Sequence, residues 1–414
     1  MSTVALSELL GVPVLEPGGR VRGRVREIAM CQQEDPIRIS GVIVRTDEGE
    51  RVLPPHLLQG LERRALQASS PAAEWQAFSG GEGLLLLSRD LLDQQIIDVH
   101  GRKVVRVNDV DLTEDRHNAH LDLKLTSVDV GARGAIRRLL KGLVPAAALR
   151  ALVNKIPPRV IPWEFVDLIE TDPARRIKLK IGHERLAKLH PADIADIVEE
   201  LAPAEREAVF ETLDEEVAAD ALQEVDPKLQ VKIVESLDSD RAADIVEAMN
   251  PDAAADLLGD LPKETSEGIL EEMQPAEREE VSELLEFRED TAAGRMTTEY
   301  LAMGVVATVQ DAVETLKQFE GGIETVSTIF LLGPDAKLMG AVPLARIVIA
   351  AGATPLQQLA MEPLISANAG ANEKAVAELF DKYNLLTLPV VDDEGRMTGV
   401  ITADDIISLL RSKL

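Results

Sequence analysis

An apolar residue recurs every twelve positions between residues 189 and 285, and this repeat is the strongest pattern in the chain. The two positions after it often hold Asp or Asn and then proline, a pair that predicts a helix N-cap and the first helical residue. Each unit is therefore expected to form a helix of about nine residues followed by a tight turn. The recurring residues are Leu189, Leu201, Leu213, Val225, Leu237, Met249, Leu261, Met273 and Leu285.

A second period of 24 residues lies within the first. Ala-Asp pairs at 195–196, 219–220 and 243–244 indicate that alternate helices have different roles, as in stacked helical hairpins. No single unit of this length can bury its apolar face alone, so the period predicts an α-helical superhelical solenoid. We expect this solenoid to occupy residues 180–290.

The chain before the repeat has a different pattern. Residues 1–172 alternate apolar and polar positions around glycine turns, which predicts β-hairpins with one buried face. Gly18-Gly19 and His100-Gly101 suit two-residue hairpin turns. The stretch 65–83, rich in Ala, Ser and Gly, is interpreted as a helix end and a linker.

This linker divides a weak internal repeat into two halves. Residues 87–112 resemble the PRC-barrel module, a small β-barrel, and residues 6–28 repeat part of the same pattern. The resemblance implies PRC-type β-barrel domains at residues 1–80 and 83–172. Such a likeness predicts a fold and says little about activity.

Two similar units follow the solenoid. The first has a predicted helix at 310–319, strands at 328–332 and 338–342, and a helix from Leu344. The second repeats this order, and together they resemble a tandem pair of CBS domains, each a βαββα unit, at residues 291–355 and 356–414. The second unit has a helix at 373–383, strands at 388–391 and 397–402, and a helix from Ala403, with 399–406 the most specific part.

Charge is concentrated in the solenoid. The chain has a formal net charge of −28, and residues 183–290 hold 33 acidic against 9 basic side chains. Exposed acidic helix surfaces are common, so most of these carboxylates are expected to be solvated. A field of this density also attracts cations, and oxygen ligands select Mg²⁺ or Ca²⁺ over zinc or copper. Both interpretations stay open from the residues alone.

Composition excludes several classes of protein. Aromatic residues make up 3% of the chain and the pI is about 4.6, which argues against binding nucleic acid by stacking or phosphate contacts. The single Cys31 excludes an internal disulfide. There is no signal-peptide pattern and no run of about 18 apolar residues, so we expect a cytoplasmic protein that does not span a membrane. The sequence has no HExxH, phosphate-loop or Ser/His/Asp pattern, and we expect no enzymatic activity.

One basic segment interrupts the second β-rich half. Residues 131–160 contain no acidic residue, and apolar residues interleave with basic ones at helical spacing. This pattern predicts an amphipathic helix that either packs on the protein itself or docks on a membrane surface or partner. Its basic residues are Arg133, Arg137, Arg138, Lys141, Arg150, Lys155 and Arg159.

The order of segments from 180 to 414 resembles the cytosolic half of MgtE magnesium transporters and channels. Acidic twelve-residue repeats, the segment 289–299 and two CBS units follow one another as in that family. The resemblance implies a Mg²⁺ sensor in which ions bridge carboxylates of the helical and CBS domains and hold a closed state. The sequence stops at Leu414, after the last CBS helix. We therefore expect the sensor and not transport by this chain.

The resemblance also implies which carboxylates bind the metal. Asp220, Asp252 and Asp405 fall at family metal positions, and Asp404 is next to Asp405 at the start of the last helix. An acidic residue at a helix N-terminus is also explained by capping and by the helix dipole. The chain departs from the family where acids are usual, and these departures predict fewer or weaker ions. They are Lys374, Asn384 and Ser408.

Nucleotide binding is the alternative chemistry. CBS pairs often bind adenosine compounds such as ATP or AMP through a Thr and an Asp three residues later, and Thr402 and Asp405 fit this pattern. The first unit has Pro343 and Arg346 at the matching positions, so at most one half-site is intact. A passive scaffold, whose acids serve solubility, is the third alternative.

The sequence as a whole predicts a multidomain α+β regulatory protein. We expect a homodimer through the CBS domains, Mg²⁺ bound between the solenoid and the CBS pair, and action on a separate membrane channel or transporter. The segment 131–160 is the predicted contact with the membrane or with that partner.

Overall fold

The structure is a computed structural model of the whole chain. It describes residues 2–31, 35–62, 65–81, 83–117, 120–144, 146–170, 172, 183–288, 290–319 and 326–412. The chain forms two compact units, Met1–Val225 and Asp226–Leu414. The first contains a β-rich part and the beginning of the helical repeat, and the second contains the rest of the repeat and the two C-terminal units. The predicted mixed α+β class is confirmed.

Over its described residues, the β-rich part contains three sheets. Their strand orders are β6-β7-β2-β3-β4-β5-β8 with β9 on β3, then β1-β12-β13-β14, and β11-β10-β15. The strands are β1 Ser2–Ala5, β2 Pro13–Leu15, β3 Val21–Met30, β4 Gly41–Thr46, β5 Gly49–Leu53, β6 Leu58–Glu62, β7 Ala65–Ala68, β8 Gln76–Ala77, β9 Leu85–Leu86, β10 Gln95–Asp98, β11 Lys103–Arg106, β12 Asp109–His117, β13 His120–Asp129, β14 Val160–Pro162 and β15 Val166–Leu168. Short helices α1 Leu6–Leu9, α2 Leu87–Asp90, α3 Ala132–Leu139 and α4 Ala146–Val153 connect them.

The two predicted β-rich halves share one hydrophobic core. Strand β1 pairs antiparallel with β12, which lies more than a hundred residues later. Side chains from both halves, including Ile28, Trp75, Leu123 and Trp163, belong to one buried cluster. The PRC-barrel interpretation and the division into residues 1–80 and 83–172 stay predictions.

The prediction of a helix end and linker at residues 65–83 was wrong for residues 65–68 and 76–77, which form strands β7 and β8. Ala65–Ala68 forms an internal strand, β7, between β6 and β2. Leu66 and Trp75 are fully buried. The small residues of this stretch predicted a loop. In the structure, those at 65–68 form a strand that is paired with β2 on one side and with β6 on the other. Within this stretch, the glycines with positive φ are Gly80, Gly81 and Gly83.

The basic segment is held by the β-rich part itself. Arg137 donates from Nε to Oδ2 of the buried Asp109 at 2.7 Å, and Arg138 pairs with Asp93 at 2.5 Å. The ammonium group of Lys141 donates to the carbonyl oxygens of Ser7 and Leu10. These contacts favour the packing interpretation for three of the seven basic residues. The side chain of Arg150 lies outside the described residues.

Helices of the repeat begin every twelve residues, at positions 191 to 275. Proline occupies the first turn of most of them, and the side chains of His190 and Asp226 accept N-cap bonds. Helices two apart pack together: α5 on α7 in the first unit, and α8 on α10, α9 on α11 and α10 on α12 in the second. The helices are α5 Pro191–Glu200, α6 Pro203–Phe210, α7 Glu215–Glu224, α8 Pro227–Val234, α9 Ser239–Glu247, α10 Pro251–Asp260, α11 Lys263–Glu272 and α12 Pro275–Leu285.

Within the first unit, polar contacts join the β-rich part to the start of the repeat. Arg102, in the turn between β10 and β11, pairs with Asp193 of α5 at 2.8 Å. The N–H of Val104 donates to Glu200 at the end of the same helix at 3.0 Å. The first repeat helix is therefore fixed to a β-hairpin by both a side chain and a backbone group.

The two C-terminal units have the same topology. In each, a first strand pairs parallel with the second, and the second pairs antiparallel with the third. The two sheets meet through an apolar cluster that includes Phe330 and Val400. The elements are β16 Leu301–Gly304, α13 Val309–Lys317, β17 Thr328–Leu332, β18 Leu338–Pro343, α14 Leu344–Ile349, β19 Ala367–Asn368, α15 Glu373–Tyr383, β20 Thr387–Val391, β21 Met397–Thr402 and α16 Ala403–Ser412. Across the described residues, no helix has the length and apolar character needed to span a bilayer.

Candidate functional site

A cleft in the second compact unit, Asp226–Leu414, is lined by residues of the helical repeat and of both C-terminal units. Its cavity volume is about 50 Å³, which is room for three to five ordered water molecules at about 10–15 Å³ each. We call it the acidic cleft. Its lining residues are Asn250, Asp252, Thr297, Glu299, Tyr300, Leu301, Val326, Ser327, Thr328, Phe330, Thr387, Val400, Thr402, Asp404 and Asp405.

The segment between Leu285, the end of α12, and Leu301, the start of β16, is called the connecting segment, and its residues 297–300 form one wall of the cleft. Thr297 and Val400 exchange two backbone hydrogen bonds, at 2.8 and 2.9 Å, so the segment continues the sheet beyond β21. Gly399 permits this approach, because a Cβ there would lie 2.7 Å from the carbonyl oxygen of Thr297. Thr297 and Glu299 of this segment line the cleft together with Asp252 in the first turn of α10.

Asp252 lies in the first turn of α10, directly after Pro251. Its Oδ1 atom is buried, and no partner among the described residues donates a hydrogen bond to it. Burial raises the pKa of Asp252 to about 6, and a hydrogen bond from Thr297 offsets only part of this effect. An unsatisfied buried carboxylate oxygen is costly, which makes it a good position for a cation or a proton.

Asp405 lies in the first turn of α16. Its Oδ2 atom accepts hydrogen bonds from the backbone N–H of Thr402 at 2.8 Å and from the Thr402 hydroxyl at 2.6 Å. Burial, and then the negative charge of Asp252, raise the pKa of Asp405 to about 7. Two carboxylates whose pKa values are both raised therefore share one small cleft, and the charge of Asp252 adds to the cost of ionising Asp405.

Other acidic groups add to this field. The sequence analysis missed Glu299, whose pKa is raised by burial and then by the charge of Glu280. Asp404 is exposed at the cleft edge. The described residues include no group of three or more His, Cys, Asp or Glu side chains arranged to hold a metal by themselves. Mg²⁺ usually keeps several waters and needs only one or two protein carboxylates, so its chemistry fits this sparse arrangement.

Asp220 belongs to the first unit. It lies on α7, and burial raises its pKa. The structure therefore gathers Asp252, Asp404 and Asp405 in one cleft, whereas Asp220 is a separate feature of its own unit. The assignment of all four as metal ligands stays a prediction.

The departures from the family pattern have local roles. Asn384 adopts a left-handed conformation with φ of 52° at the C-terminus of α15, a position that Asn tolerates well. Lys374 is exposed, 4.0 Å from Glu378. Arg346 donates to the carbonyl oxygens of Leu359 and Ala360 at 3.0 and 2.9 Å, so its guanidinium braces the first C-terminal unit. The side chain of Ser408 lies outside the described residues.

Two segments of the chain match known protein families. Residues 189–290 match the MgtE intracellular N domain, and residues 356–412 match the CBS domain. A chain with such a helical repeat followed by CBS topology is similar to the intracellular part of magnesium transporters. The resemblance drawn from the sequence is confirmed over these segments.

The particular relatives are magnesium transporters. The magnesium transporter MgtE of Thermus thermophilus is 30% identical over 136 residues, 33% of this chain and 30% of the relative. That of Enterococcus faecalis is 29% identical over 131 residues, 32% of this chain and 29% of the relative. The match thus spans less than a third of each relative's length.

Solved structures agree with this placement. A structure described as the soluble part of a magnesium transporter is 25% identical, covers 56% of this chain and 91% of its own, and has a TM-score of 0.53. A second, the cytosolic domain of the Mg²⁺ channel MgtE in complex with ATP, is 28% identical, covers 56% and 94%, and has a TM-score of 0.52.

The raised pKa values predict how stability depends on pH without divalent ions. Asp252 and Asp405 hold protons in the folded chain up to about pH 6 and 7, and unfolding returns them to the ordinary 3.8. The folded state therefore binds more protons between about pH 4 and 7, and the free energy of unfolding falls as pH rises through that window. We expect Asp405→Asn to flatten this fall and to stabilise the chain by about 1–2 kcal/mol at pH 8.

Urea denaturation from pH 5 to pH 8 in EDTA measures this effect. Asp260→Asn is the matched control, since Asp260 is an exposed carboxylate on the same helix as Asp252. Equal pH slopes for the wild type and Asp405→Asn would show that the cleft does not carry the predicted repulsion.

Proposed function

We propose that this chain is a Mg²⁺-sensing regulatory protein related to the cytosolic part of MgtE, and that it does not itself catalyse a reaction. The observation that carries the proposal is the acidic cleft, in which Asp252 of the repeat and Asp405 of the second CBS-like unit line one small cavity. A divalent ion between them replaces repulsion by attraction and joins the two elements. The relatives named as magnesium transporters supply the ion class.

Asp252 and Asp405 are the proposed inner ligands, and Asp404 and Glu299 contribute charge at the edge. The cavity of about 50 Å³ suits an ion with a few of its waters. Asp220, on α7 of the first compact unit, is proposed as a further carboxylate that binds Mg²⁺. Because the ion must displace protons from two carboxylates with raised pKa, its apparent affinity should increase with pH.

Adenine-nucleotide binding is the second candidate. It is favoured by the ATP complex of a related cytosolic domain and by Thr402 and Asp405, which line the same cleft. Two features weigh against it. The cavity is far smaller than the roughly 300–1,000 Å³ of typical ligand sites, and Oδ2 of Asp405 already accepts two hydrogen bonds from Thr402. A nucleotide would have to open the cleft and replace those bonds.

Isothermal calorimetry separates the candidates. We expect Mg²⁺ to bind the full chain with a release of protons at pH 7, and Asp252→Asn or Asp405→Asn to weaken that binding by about tenfold or more, since each removes one of two carboxylates. Asp260→Asn, with the same change of charge, should bind as the wild type does. Absence of Mg²⁺ binding to the wild type at millimolar concentration would refute the proposal, and binding of ATP or AMP that Thr402→Ala abolishes would favour the nucleotide candidate.

We further propose that the C-terminal units pair with a second copy of the chain. Their helices leave large apolar side chains in solvent, and Val348 and Ile349 on α14 are 82% and 86% exposed. Apolar side chains this exposed on neighbouring positions mark an interaction surface. CBS modules commonly pair through their helices, which makes a second copy the fitting partner.

The predicted dimer can be tested by sedimentation velocity. We expect the wild type to sediment as a dimer at micromolar concentration, and the double variant Val348→Ser/Ile349→Ser to sediment as a monomer. Val21→Ser/Ile37→Ser changes two exposed apolar residues of the other unit and should leave the dimer intact. A wild-type monomer would contradict this part of the proposal.

The output of the sensor is proposed to be a separate membrane channel or transporter, approached at the anionic cytoplasmic membrane surface through residues 131–160. Arg137, Arg138 and Lys141 are engaged by the β-rich part, so they anchor the segment instead of binding lipid. Among the described residues of the segment, Leu139 and Leu143 are apolar side chains that are 74% and 78% exposed. The exposed basic residues Lys155 and Arg159 complement an anionic surface, at about 1 kcal/mol each.

Vesicle flotation tests this surface without disturbing the anchoring contacts. We expect the full chain to float with vesicles that contain phosphatidylserine, and Leu139→Ser/Leu143→Ser to lose most of that binding, because it removes the inserted apolar groups. The control is Val21→Ser/Ile37→Ser, which should float as the wild type does. Equal flotation of wild type and variant would refute the membrane contact.

A further inference from the structure

An arginine in the connecting segment joins the repeat to the second CBS-like unit. Nη1 of Arg295 pairs with Oδ2 of Asp256 at 3.1 Å. Nη2 and Nε of the same guanidinium lie 3.3 and 3.4 Å from Oε1 of Glu373. Asp256 lies on α10, and Glu373 is the first residue of α15. One side chain therefore bridges two acidic residues on two different elements.

This bridge lies one helical turn from the acidic cleft. Asp252 and Asp256 are four residues apart on α10, so they share one face of that helix. The positive charge that faces Asp256 belongs to a side chain of the protein, Arg295. At Asp252 the neighbouring element contributes Asp405, which is another acid. Helix α10 therefore faces the C-terminal units at two places. At Asp256 it faces the positive charge of Arg295, and at Asp252 it faces the carboxylate of Asp405.

We propose that Arg295 is a fixed counter-cation that holds α10 against the second CBS-like unit and so positions Asp252 beside Asp405 before any ion binds. The inference rests on the proposed function for its effect on Mg²⁺. Its structural part, the ion-independent link, stands separately.

The backbone fixes one end of the link. The N–H groups of Ala292 and Ala293 donate to the carbonyl oxygens of Ala371 and Ala369 at 2.7 and 3.0 Å. These bonds attach the connecting segment to the loop before α15, so Arg295 has a defined place on the C-terminal side. Glu373 then orients the guanidinium, and the contact with Asp256 extends the link to α10 of the repeat, beside the hydrogen bonds from Thr297 to Asp252 and from Thr298 to Glu280.

The link matters because the cleft is poor in ligands. An ion held by only two carboxylates binds weakly if part of its binding free energy is used to bring two separate elements together. When only a fraction of the molecules have the cleft closed, the apparent dissociation constant increases in inverse proportion to that fraction. Arg295 raises the fraction, which allows a sparse site to bind.

The test uses Arg295→Gln in the full chain, with Arg288→Gln as the matched control. Arg288 is in the same part of the chain, is 79% exposed and pairs with Asp290. In EDTA, we expect hydrogen exchange in the first turns of α10 to be faster in Arg295→Gln than in the wild type and unchanged in Arg288→Gln. By calorimetry, Mg²⁺ binding should be about five- to tenfold weaker in Arg295→Gln, within the usual range of coupling between sites.

A second variant keeps the test decisive if Arg295→Gln folds poorly. Asp256→Asn cuts the same link at a half-exposed carboxylate and should accelerate the same exchange, and the double variant should add little to either single change. Unchanged exchange in both single variants, or tighter Mg²⁺ binding in Arg295→Gln, would overturn the inference. If the wild type binds no Mg²⁺, the proposed function fails, while the exchange measured in EDTA still decides the role of Arg295.

Discussion

The repulsion between two partly buried carboxylates is the interaction on which the proposed behaviour of the second unit depends. Asp252 and Asp405 come from elements more than 150 residues apart in sequence, yet they line one cavity. Burial works against the charge of each, and the charge of Asp252 makes ionisation of Asp405 harder still. The cleft is therefore stable when it holds protons or a cation and strained when it holds neither. A contact of this kind responds to the composition of the solution, which a hydrophobic contact does not.

The chain handles buried acidic groups in different ways, and the contrast clarifies the role of the cleft. In the first unit, Asp109 is neutralised by Arg137 and accepts a hydrogen bond from the Ser7 hydroxyl. In the second unit, Arg295 pairs with both Asp256 and Glu373 and offsets part of their negative charge. Breaking a buried pair of the first kind leaves an uncompensated charge and costs several kcal/mol, so such pairs are permanent. Under the proposed function, the partner of the carboxylates in the cleft is an ion that can dissociate, so the response to Mg²⁺ arises in the cleft.

Local sequence signals predicted the elements well, and contacts distant in sequence less well. The twelve-residue repeat located the helix starts, because proline and a capping residue fix where a helix begins. Alternation and turn residues located strands 328–332 and 397–402 and the helix 373–383, which agree with the observed bounds. The strand Ala65–Ala68 was missed, because small residues read as a loop when their two neighbouring strands are unknown. Asp252 and Asp405 came from the family resemblance, whereas Glu299 and Arg295 become visible only once α10, the connecting segment and α15 are seen together.

The small number of protein ligands bears on which ion the cleft selects. Ca²⁺ takes six to eight oxygen ligands in a flexible shell, whereas Mg²⁺ holds its waters tightly and accepts one or two carboxylates. A cavity of about 50 Å³ with two carboxylates and the hydroxyls of Thr297 and Thr402 at its wall can serve a partly hydrated Mg²⁺, because the waters themselves donate to the remaining oxygens. For Ca²⁺, the oxygen atoms that line the cleft would supply only a minor part of the six to eight ligands of its coordination shell. Binding through so few ligands is weak, and a weak site fills only when the free ion is abundant. Under the proposed function, weak binding is therefore the property that lets the cleft report an excess of Mg²⁺, provided that a fixed charge such as Arg295 keeps the two carboxylates in place while the ion is absent.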